Sequence, residues 1–362
     1  MSMKRPVLVV AGGGTGGHVL AGIAVADEWK KRHGEGSVLF VGARGGIEER
    51  LVPRAGYPLR LLSLGSLKGV GLAKRLKTLL QLPLSFVVSK LWLLALRPKV
   101  VLGVGGYASG PFVLMARLTG WLWGARVGIL EQNAVPGLTN RILGAFAHRV
   151  FAAFPGLESS FSAKKLLVSG NPVREAIRFQ GPPPADPFTL FVFGGSQGAQ
   201  AINTWMIEAL PLLRDQFAKL KIIHQTGERD FQRVKTAYDE FPVTARVEKF
   251  IFDMPECYQA ASLVVCRAGS STLSEIAAVG RPAILIPFPF ATDNHQEKNA
   301  RVFEQAGAAE VMVQSEGSGK KLADRIRGLM GSESSRLVEM GARSLELHRK
   351  DSAVRIVDAL SR

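Results

Sequence analysis

The sequence predicts an α/β chain made of two doubly wound, Rossmann-like parallel-sheet domains in tandem. Three observations carry that prediction. Short β-branched runs alternate with longer segments of helical spacing along the whole chain. A glycine loop follows the first strand-like run of each half. The length of 362 residues, 47% apolar and 21% charged, suits two cores of ~150–200 residues each and excludes wholesale disorder.

In the first half, Val7–Val10, Val38–Val41, Val100–Leu102, Val127–Leu130 and Val150–Ala152 read as strands, with Ala21–His33 and Gly110–Trp121 as helices between them. The rhythm restarts with Leu190–Phe193, Lys221–His224, Arg246–Phe250, Leu263–Cys266 and Ala283–Ile286. The break falls near Arg174, close to the proline-rich stretch Gly181-Pro-Pro-Pro-Ala-Asp-Pro187. The predicted domains are therefore 1–173 and 174–343.

The two glycine loops are Gly12-Gly-Gly-Thr-Gly-Gly17-His18 and Gly194-Gly-Ser-Gln-Gly198-Ala199. In open parallel sheets ligands bind outside the carboxyl ends of the strands, so two such domains facing one another would form one cleft lined by both loops. A glycine loop that opens a helix offers backbone N–H groups and a positive dipole end to a phosphate. The first loop also matches the dinucleotide fingerprint, with glycines at 12, 14 and 17. The acid expected after the second strand is missing, since Gly-Ala-Arg44 follows Val41. Arg44 would suit the 2′-phosphate of NADP instead. A third alternative is that the glycines only allow a tight turn and close helix packing.

The net charge of +16 points to an anionic partner: nucleic acid, a phosphorylated substrate or a membrane surface. Residues 1–160 carry +13 of it and residues 161–362 only +3. Residues 67–99 hold seven Lys/Arg and no acid among Leu, Val, Phe86 and Trp92. Their longest uncharged stretch, Thr78–Ser89, has 12 residues and contains Pro83, too short to cross a ~30 Å hydrocarbon core. The segment is either a buried helix pair with solvated charges or an element lying in the headgroup plane. In the second case Phe86 and Trp92 enter lipid while Lys68, Lys74, Arg75 and Lys77 meet anionic heads. Nucleic acid fits worse, because the cations alternate with aliphatics rather than stacking aromatics. Cys257 and Cys266 read as buried, reduced thiols. The apolar run Val7–Ala11 is too short for a secretory leader, so a cytoplasmic chain is expected.

Further motifs occur in order: Gly103-Val-Gly-Gly-Tyr-Ala-Ser-Gly-Pro111, Glu131-Gln-Asn133 with Pro136-Gly137, Gly170-Asn-Pro-Val-Arg174, Cys266-Arg-Ala-Gly-Ser-Ser-Thr-Leu-Ser-Glu275, and Pro287 through Asp293-Asn-His-Gln296 to Asn299-Ala300. With the two loops, this set resembles the MurG family across nearly the whole chain. These are family 28 glycosyltransferases that move N-acetylglucosamine from UDP-GlcNAc to the undecaprenyl-linked muramyl-pentapeptide precursor of peptidoglycan. The resemblance implies the two-domain GT-B fold, with a last helix, roughly 344–362, returning to the N-terminal domain. It also implies a peripheral enzyme on the cytoplasmic face of the inner membrane, working beside other cell-wall assembly proteins.

The same resemblance implies that the C-terminal domain holds the nucleotide-sugar and the N-terminal domain the lipid acceptor. Ser270, Ser271, Thr272, Leu273, Ser274 and Glu275 would hold the nucleotide, with Glu275 on the ribose hydroxyls. Ile251 would lie against the uracil, Ser196 against the diphosphate, and Arg174 would neutralise the leaving group. Gln296 would read the sugar hydroxyls; His295 beside it stands where the family has a second glutamine. Thr15, Gly16, Gly17 and Asn133 would line the opposite wall. Attack by the acceptor C4 hydroxyl with inversion needs a base, for which His18 is the first candidate and Glu131 the reserve. No Asp-x-Asp pair occurs, so no tightly bound catalytic metal and no cofactor are expected. The competing functions are a UDP-GlcNAc 2-epimerase, another glycolipid glycosyltransferase of this fold, an NADP-dependent oxidoreductase and a nucleic-acid-binding module.

Overall fold

A computed structural model describes residues 7–64, 72–331 and 334–361. Contacts divide the chain into two compact units, Met1–Arg174 with Arg349–Arg362, and Glu175–His348. In chain order the first unit contains β1 (Leu8–Gly12), α1 (Gly16–His33), β2 (Val38–Ala43), α2 (Glu48–Arg54), β3 (Leu59–Leu62), α3 (Leu72–Leu96), β4 (Val100–Gly105), α4 (Ser109–Thr119), β5 (Arg126–Glu131), α5 (Leu138–Phe146), β6 (Arg149–Ala152) and β7 (Leu166–Val168). The second contains β8 (Phe188–Phe193), α6 (Gln200–Ala209), β9 (Leu220–Gln225), α7 (Phe231–Asp239), β10 (Thr244–Glu248), α8 (Met254–Ala260), β11 (Leu263–Cys266), α9 (Ser270–Val279), β12 (Ala283–Leu285), α10 (His295–Gln305), β13 (Ala309–Val311), α11 (Gly319–Gly331) and α12 (Ser334–Glu346). A last helix, α13 (Ser352–Ser361), rejoins the first unit.

Both sheets are parallel throughout, in the orders β3-β2-β1-β4-β5-β6-β7 and β10-β9-β8-β11-β12-β13. The predicted doubly wound architecture is thus present twice. Each chain segment winds outward from its first strand, then crosses to the other side, at β1/β4 and at β8/β11. The loops leaving those strand pairs diverge and open a crevice at the carboxyl ends. Side chains of β1 alternate between the two faces. Leu8 and Val10 pack with Val19, Ile23 and Trp29, while Val9 and Ala11 pack with Phe112, Val113 and Ile129.

The sequence pattern does not reveal β3, β7 or β13. All three lie at sheet edges and are only three or four residues long, too short to show a period. The helix expected over 344–362 is two elements, α12 and α13, separated by residues 347–351. The break is fixed by packing: the Ser352 hydroxyl donates to the Gly170 carbonyl at 2.9 Å, and Arg349 packs on Gly170. Ile356, Val357 and Leu360 then complete the core beneath α1.

Residues 72–96 of the basic segment form one 25-residue helix, α3, rather than a helix pair. Ser85, Ser89, Leu93 and Leu96 face inward. Leu80, Leu84, Val87, Leu91 and Leu94 form an exposed apolar stripe at helical spacing. Phe86 is half-buried, and Trp92 packs against the core with the Arg60 guanidinium 5.4 Å from its ring centre. The aliphatic stripe is therefore more open than either aromatic. Lys68 lies outside the described residues, as do the side chains of Lys74, Arg75 and Lys77. No described helix is long and apolar enough to cross a membrane.

Candidate active site

In the first unit, β1 ends in the glycine loop and Thr15 caps α1, its hydroxyl accepting from the His18 N–H at 3.4 Å. Gly16 and Gly17 form the first helical residues. The His18 Nδ1 lies 3.1 Å from the Gly13 carbonyl oxygen. A carbonyl only accepts, so the shared proton is on Nδ1, and in the neutral form of the ring the lone pair is then on Nε2. That nitrogen faces Gly105 at the end of β4: a Cβ there would sit 2.9 Å from it. The histidine therefore occupies the switch point of the sheet.

The loop itself is braced by a residue the sequence did not single out. Glu48, fully buried at the start of α2, accepts from the Gly14 N–H at 2.9 Å and from the Ala43 N–H at 2.8 Å. A Cβ on Gly13, Gly42 or Gly46 would fall on its carboxylate. Gly13 N–H donates to the Gly105 carbonyl at 3.1 Å. The Gly13 and Gly14 amides, which a phosphate cradle would offer to an anion, are thus spent internally, one of them on a carboxylate. This disfavours the dinucleotide alternative for this loop.

Glu131, 2% exposed at the end of β5, has both oxygens engaged. Oε1 accepts from Asn133 N–H at 2.9 Å and from its carboxamide at 3.2 Å; Oε2 accepts from Gly137 N–H at 3.0 Å and from Asn140 at 2.9 Å. Its visible work is to shape the 131–140 loop, on which Asn133 is half-buried. Arg174 closes the first unit.

In the second unit, the glycine loop runs from β8 to α6, with Ser196 exposed at its tip. Gly198 has φ of +75°, and a Cβ on it would fall on the Thr226 carbonyl oxygen. Gln225 ties two loops together: its amide donates to the Gly195 carbonyl at 2.9 Å, and its oxygen accepts from the Ile251 N–H at 2.8 Å. Ile251 is buried, 1% exposed.

Ser270 opens α9, and Ser271, Thr272, Ser274 and Glu275 are half-buried on its first turns. Leu273 differs from its neighbours: it is fully buried and its N–H donates to the Gly269 carbonyl. It sits three residues after Ser270, where the helix turns into the core, so its side chain packs there. Glu275 accepts from the Tyr258 hydroxyl at 3.0 Å. Gln296 turns its oxygen to the Phe288 N–H at 3.0 Å, and His295 Nδ1 lies 2.7 Å from the Thr292 carbonyl. Ser196, Ser270–Glu275 and His295–Gln296 thus follow the carboxyl ends of β8, β11 and β12.

Residues 8–152 match the glycosyltransferase family 28 N-terminal domain and residues 189–356 the glycosyltransferase family 28 C-terminal domain. The chain belongs to glycosyltransferase family 28. It is 47% identical, over 97% of each chain, to the UDP-N-acetylglucosamine–N-acetylmuramyl-(pentapeptide) pyrophosphoryl-undecaprenol N-acetylglucosamine transferase of Syntrophus aciditrophicus. To the protein of the same name from Citrifermentans bemidjiense it is 45% identical over 98% of each. The crystal structure of Acinetobacter baumannii MurG superposes with a TM-score of 0.76 at 30% identity over 98% of each chain. A UDP-GlcNAc 2-epimerase from Neisseria meningitidis, 12% identical with a TM-score of 0.68, shares the fold alone.

Within this family 28 chain, sequence reasoning missed Glu48, Gln225, Tyr258 and Arg267. The half-buried Arg267 side chain donates to the Ile286 and Pro287 carbonyls and to Gln314, and its guanidinium lies 5.4 Å from the Phe288 ring centre. Burial pushes its pKa down to about 10. It fixes the loop that leads to His295 and Gln296. Both cysteines are free and buried, and burial pushes the Cys257 thiol up to about 11. Among the described residues, no three His, Cys, Asp or Glu side chains are grouped to hold a metal.

Proposed function

We propose that this family 28 chain transfers N-acetylglucosamine from UDP-GlcNAc to the C4 hydroxyl of undecaprenyl-diphospho-muramyl-pentapeptide, inverting the anomeric centre. The observation that carries the proposal is the 45–47% identity, over 97–98% of this chain, to relatives named for that transfer. The geometry is compatible chemically. His18, with its lone pair on Nε2, takes the acceptor proton, a contribution of ~10²–10⁴-fold for a well-placed base. The transition state resembles an oxocarbenium ion, so the rest of the rate comes from stabilising departing diphosphate.

In this proposal the second unit holds the donor. Glu275 bonds the ribose hydroxyls, Ile251 lies beside the uracil, and Ser196 with the second loop's amides meets the diphosphate. Ser270, Ser271, Thr272 and Ser274 present hydroxyls and a helix N-terminus to the same group. Arg174 adds a guanidinium. Gln296 and His295 select the sugar. Thr15, Gly16, Gly17 and Asn133 of the first unit contribute to UDP-GlcNAc binding, and the outward aliphatic stripe of α3 with its basic flanks rests on an anionic membrane at the cytoplasmic face.

Labelled UDP-GlcNAc and the lipid-linked acceptor test the central proposal: label should move to the lipid. Absence of transfer with release of free ManNAc would assign the chain to the epimerases. Thermal stabilisation by UDP but not NADPH is expected alongside. Co-sedimentation with vesicles should rise with anionic lipid and fall with salt. A charge-reversed Lys74/Arg75/Lys77 variant that still binds would take these three cations out of the membrane contact.

A further inference from the structure

Two acids open α2, and they behave differently. Glu49 is exposed and accepts from the Gly45 N–H at 2.6 Å, as a first-turn acid ordinarily does. Glu48 is fully buried and turns back under the first glycine loop. Burying a carboxylate is costly unless its oxygens are satisfied, and a helix-opening acid has no need of it. Here each oxygen has its own backbone donor on a separate segment, Ala43 at the end of β2 and Gly14 in the loop. Three positions that approach it, Gly13, Gly42 and Gly46, have no room for a Cβ. The carboxylate is therefore enclosed by the loop it braces.

The brace leads to the histidine. Gly14 is held through its N–H and Gly13 lies against the same carboxylate; the Gly13 carbonyl in turn holds His18 Nδ1–H. We propose that Glu48 is a positioning residue: by clamping Gly13 and Gly14 it fixes the carbonyl that selects the Nδ1–H tautomer of His18. This presents the Nε2 lone pair at the switch point. Misplacing a reacting group by about 1 Å can cost ~10²-fold in rate, so a brace one step removed is a sensitive control point. The consequence for catalysis rests on His18 being the base; the consequence for the ring does not.

Glu48→Gln tests this with almost no change of shape, since it leaves one acceptor and turns an NH₂ group toward a backbone N–H. Gly46→Ala is the second variant: it keeps the carboxylate and pushes it from outside the loop. The full chain is labelled with ¹⁵N-histidine. The chain has six histidines, and the His18 signals are assigned by their loss in His18→Ala. Folding is checked by thermal melting and by UDP affinity, which should stay within ~2-fold. In either folded variant the His18 spectrum should move from the Nδ1–H form toward the Nε2–H form. The kcat should fall ~10–100-fold with little change in donor KM. A native His18 spectrum in both folded variants overturns the proposal whatever the rate. A shifted spectrum with unchanged kcat supports the positioning role and defeats the base assignment, as would His18→Ala retaining more than a tenth of the activity.

Discussion

The two glycine loops occupy equivalent points of equivalent sheets, yet their backbones are braced by opposite means. The first lies on a buried carboxylate: Glu48 takes the Gly14 amide and is pressed by Gly13. The second is held by neutral groups. Gln225 donates to the Gly195 carbonyl, and Gly198 packs on the Thr226 carbonyl, which accepts from Asn203 at 3.0 Å. A fixed negative charge under a loop opposes a second anion there, and this loop instead uses its carbonyl to orient an imidazole. A loop with neutral supports and an exposed serine leaves its helix dipole available to a diphosphate. Similar sequence patterns at similar topological places thus support different chemistry, and the side chains beneath the glycines make the difference. The charge of the chain shows the same contrast: the basic half contains the loop least suited to an anion.

The sharpest way to break this comparison is at His18. His18→Ala should lower turnover by at least ~100-fold with UDP affinity nearly kept, measured by transfer assay and calorimetry. A loss below tenfold would leave the first loop without its chemical role. Next in size is a crossed pair. Gly198→Ala forces an alanine to φ +75° against the Thr226 carbonyl, costing ~1–2 kcal/mol in backbone strain alone, and should weaken UDP binding at least ~10-fold. Gly13→Ala disturbs the other loop and should cut kcat while UDP affinity stays within ~2-fold. If both variants affect the same parameter, the division of labour is wrong. Glu275→Ala comes third. Charge-assisted hydrogen bonds contribute ~1.5–3 kcal/mol, so UDP affinity should fall roughly tenfold or more. A change under twofold would confine Glu275 to its bond with Tyr258.

Much of this was legible from residues alone, for identifiable reasons. Inner strands such as β1, β4, β8 and β11 are buried on both faces and announce themselves as continuous Val/Leu runs. Both loops stand out because glycine is needed where backbones approach closely. The edge strands β3, β7 and β13 gave no signal because they are short and partly exposed. Glu48 was hidden for a different reason. The dinucleotide fingerprint places an acid directly after the second strand, whereas the carboxylate that serves this loop comes seven residues after Val41 and folds back. Three glycines just ahead of an acid pair, Gly42, Gly45 and Gly46 before Glu48-Glu49, are the available hint. Within the Ser270–Glu275 motif, helical geometry turns the Leu273 side chain into the core, while Ser271, Thr272, Ser274 and Glu275 stay half-buried.

The smallest expected effect concerns the neutral brace itself. His224 is fully buried beneath the second loop. Its Nδ1 accepts from the Tyr238 hydroxyl at 2.9 Å, and its Nε2–H donates to the Asn203 carboxamide oxygen at 3.0 Å. Asn203 also donates to the Thr226 carbonyl and to Asp230. Burial pushes the His224 pKa from 6.5 down to about 3, against the opposing pull of Asp230. The folded pKa is therefore below the unfolded one, and the unfolded chain gains a proton first as pH falls. Stability present above pH ~6.5 is lost toward pH 3, at no more than ~1.4 kcal/mol per pH unit, or about 2 kcal/mol between pH 7 and pH 5. His224→Gln removes that titration, so its loss of unfolding free energy over the same interval, read from urea titrations, should be smaller by about that amount. Carboxylates titrate in both proteins and cancel in the difference. If the variant is as acid-sensitive as the parent, protons enter the folded network without breaking it, and the second loop's support is no more neutral than the first.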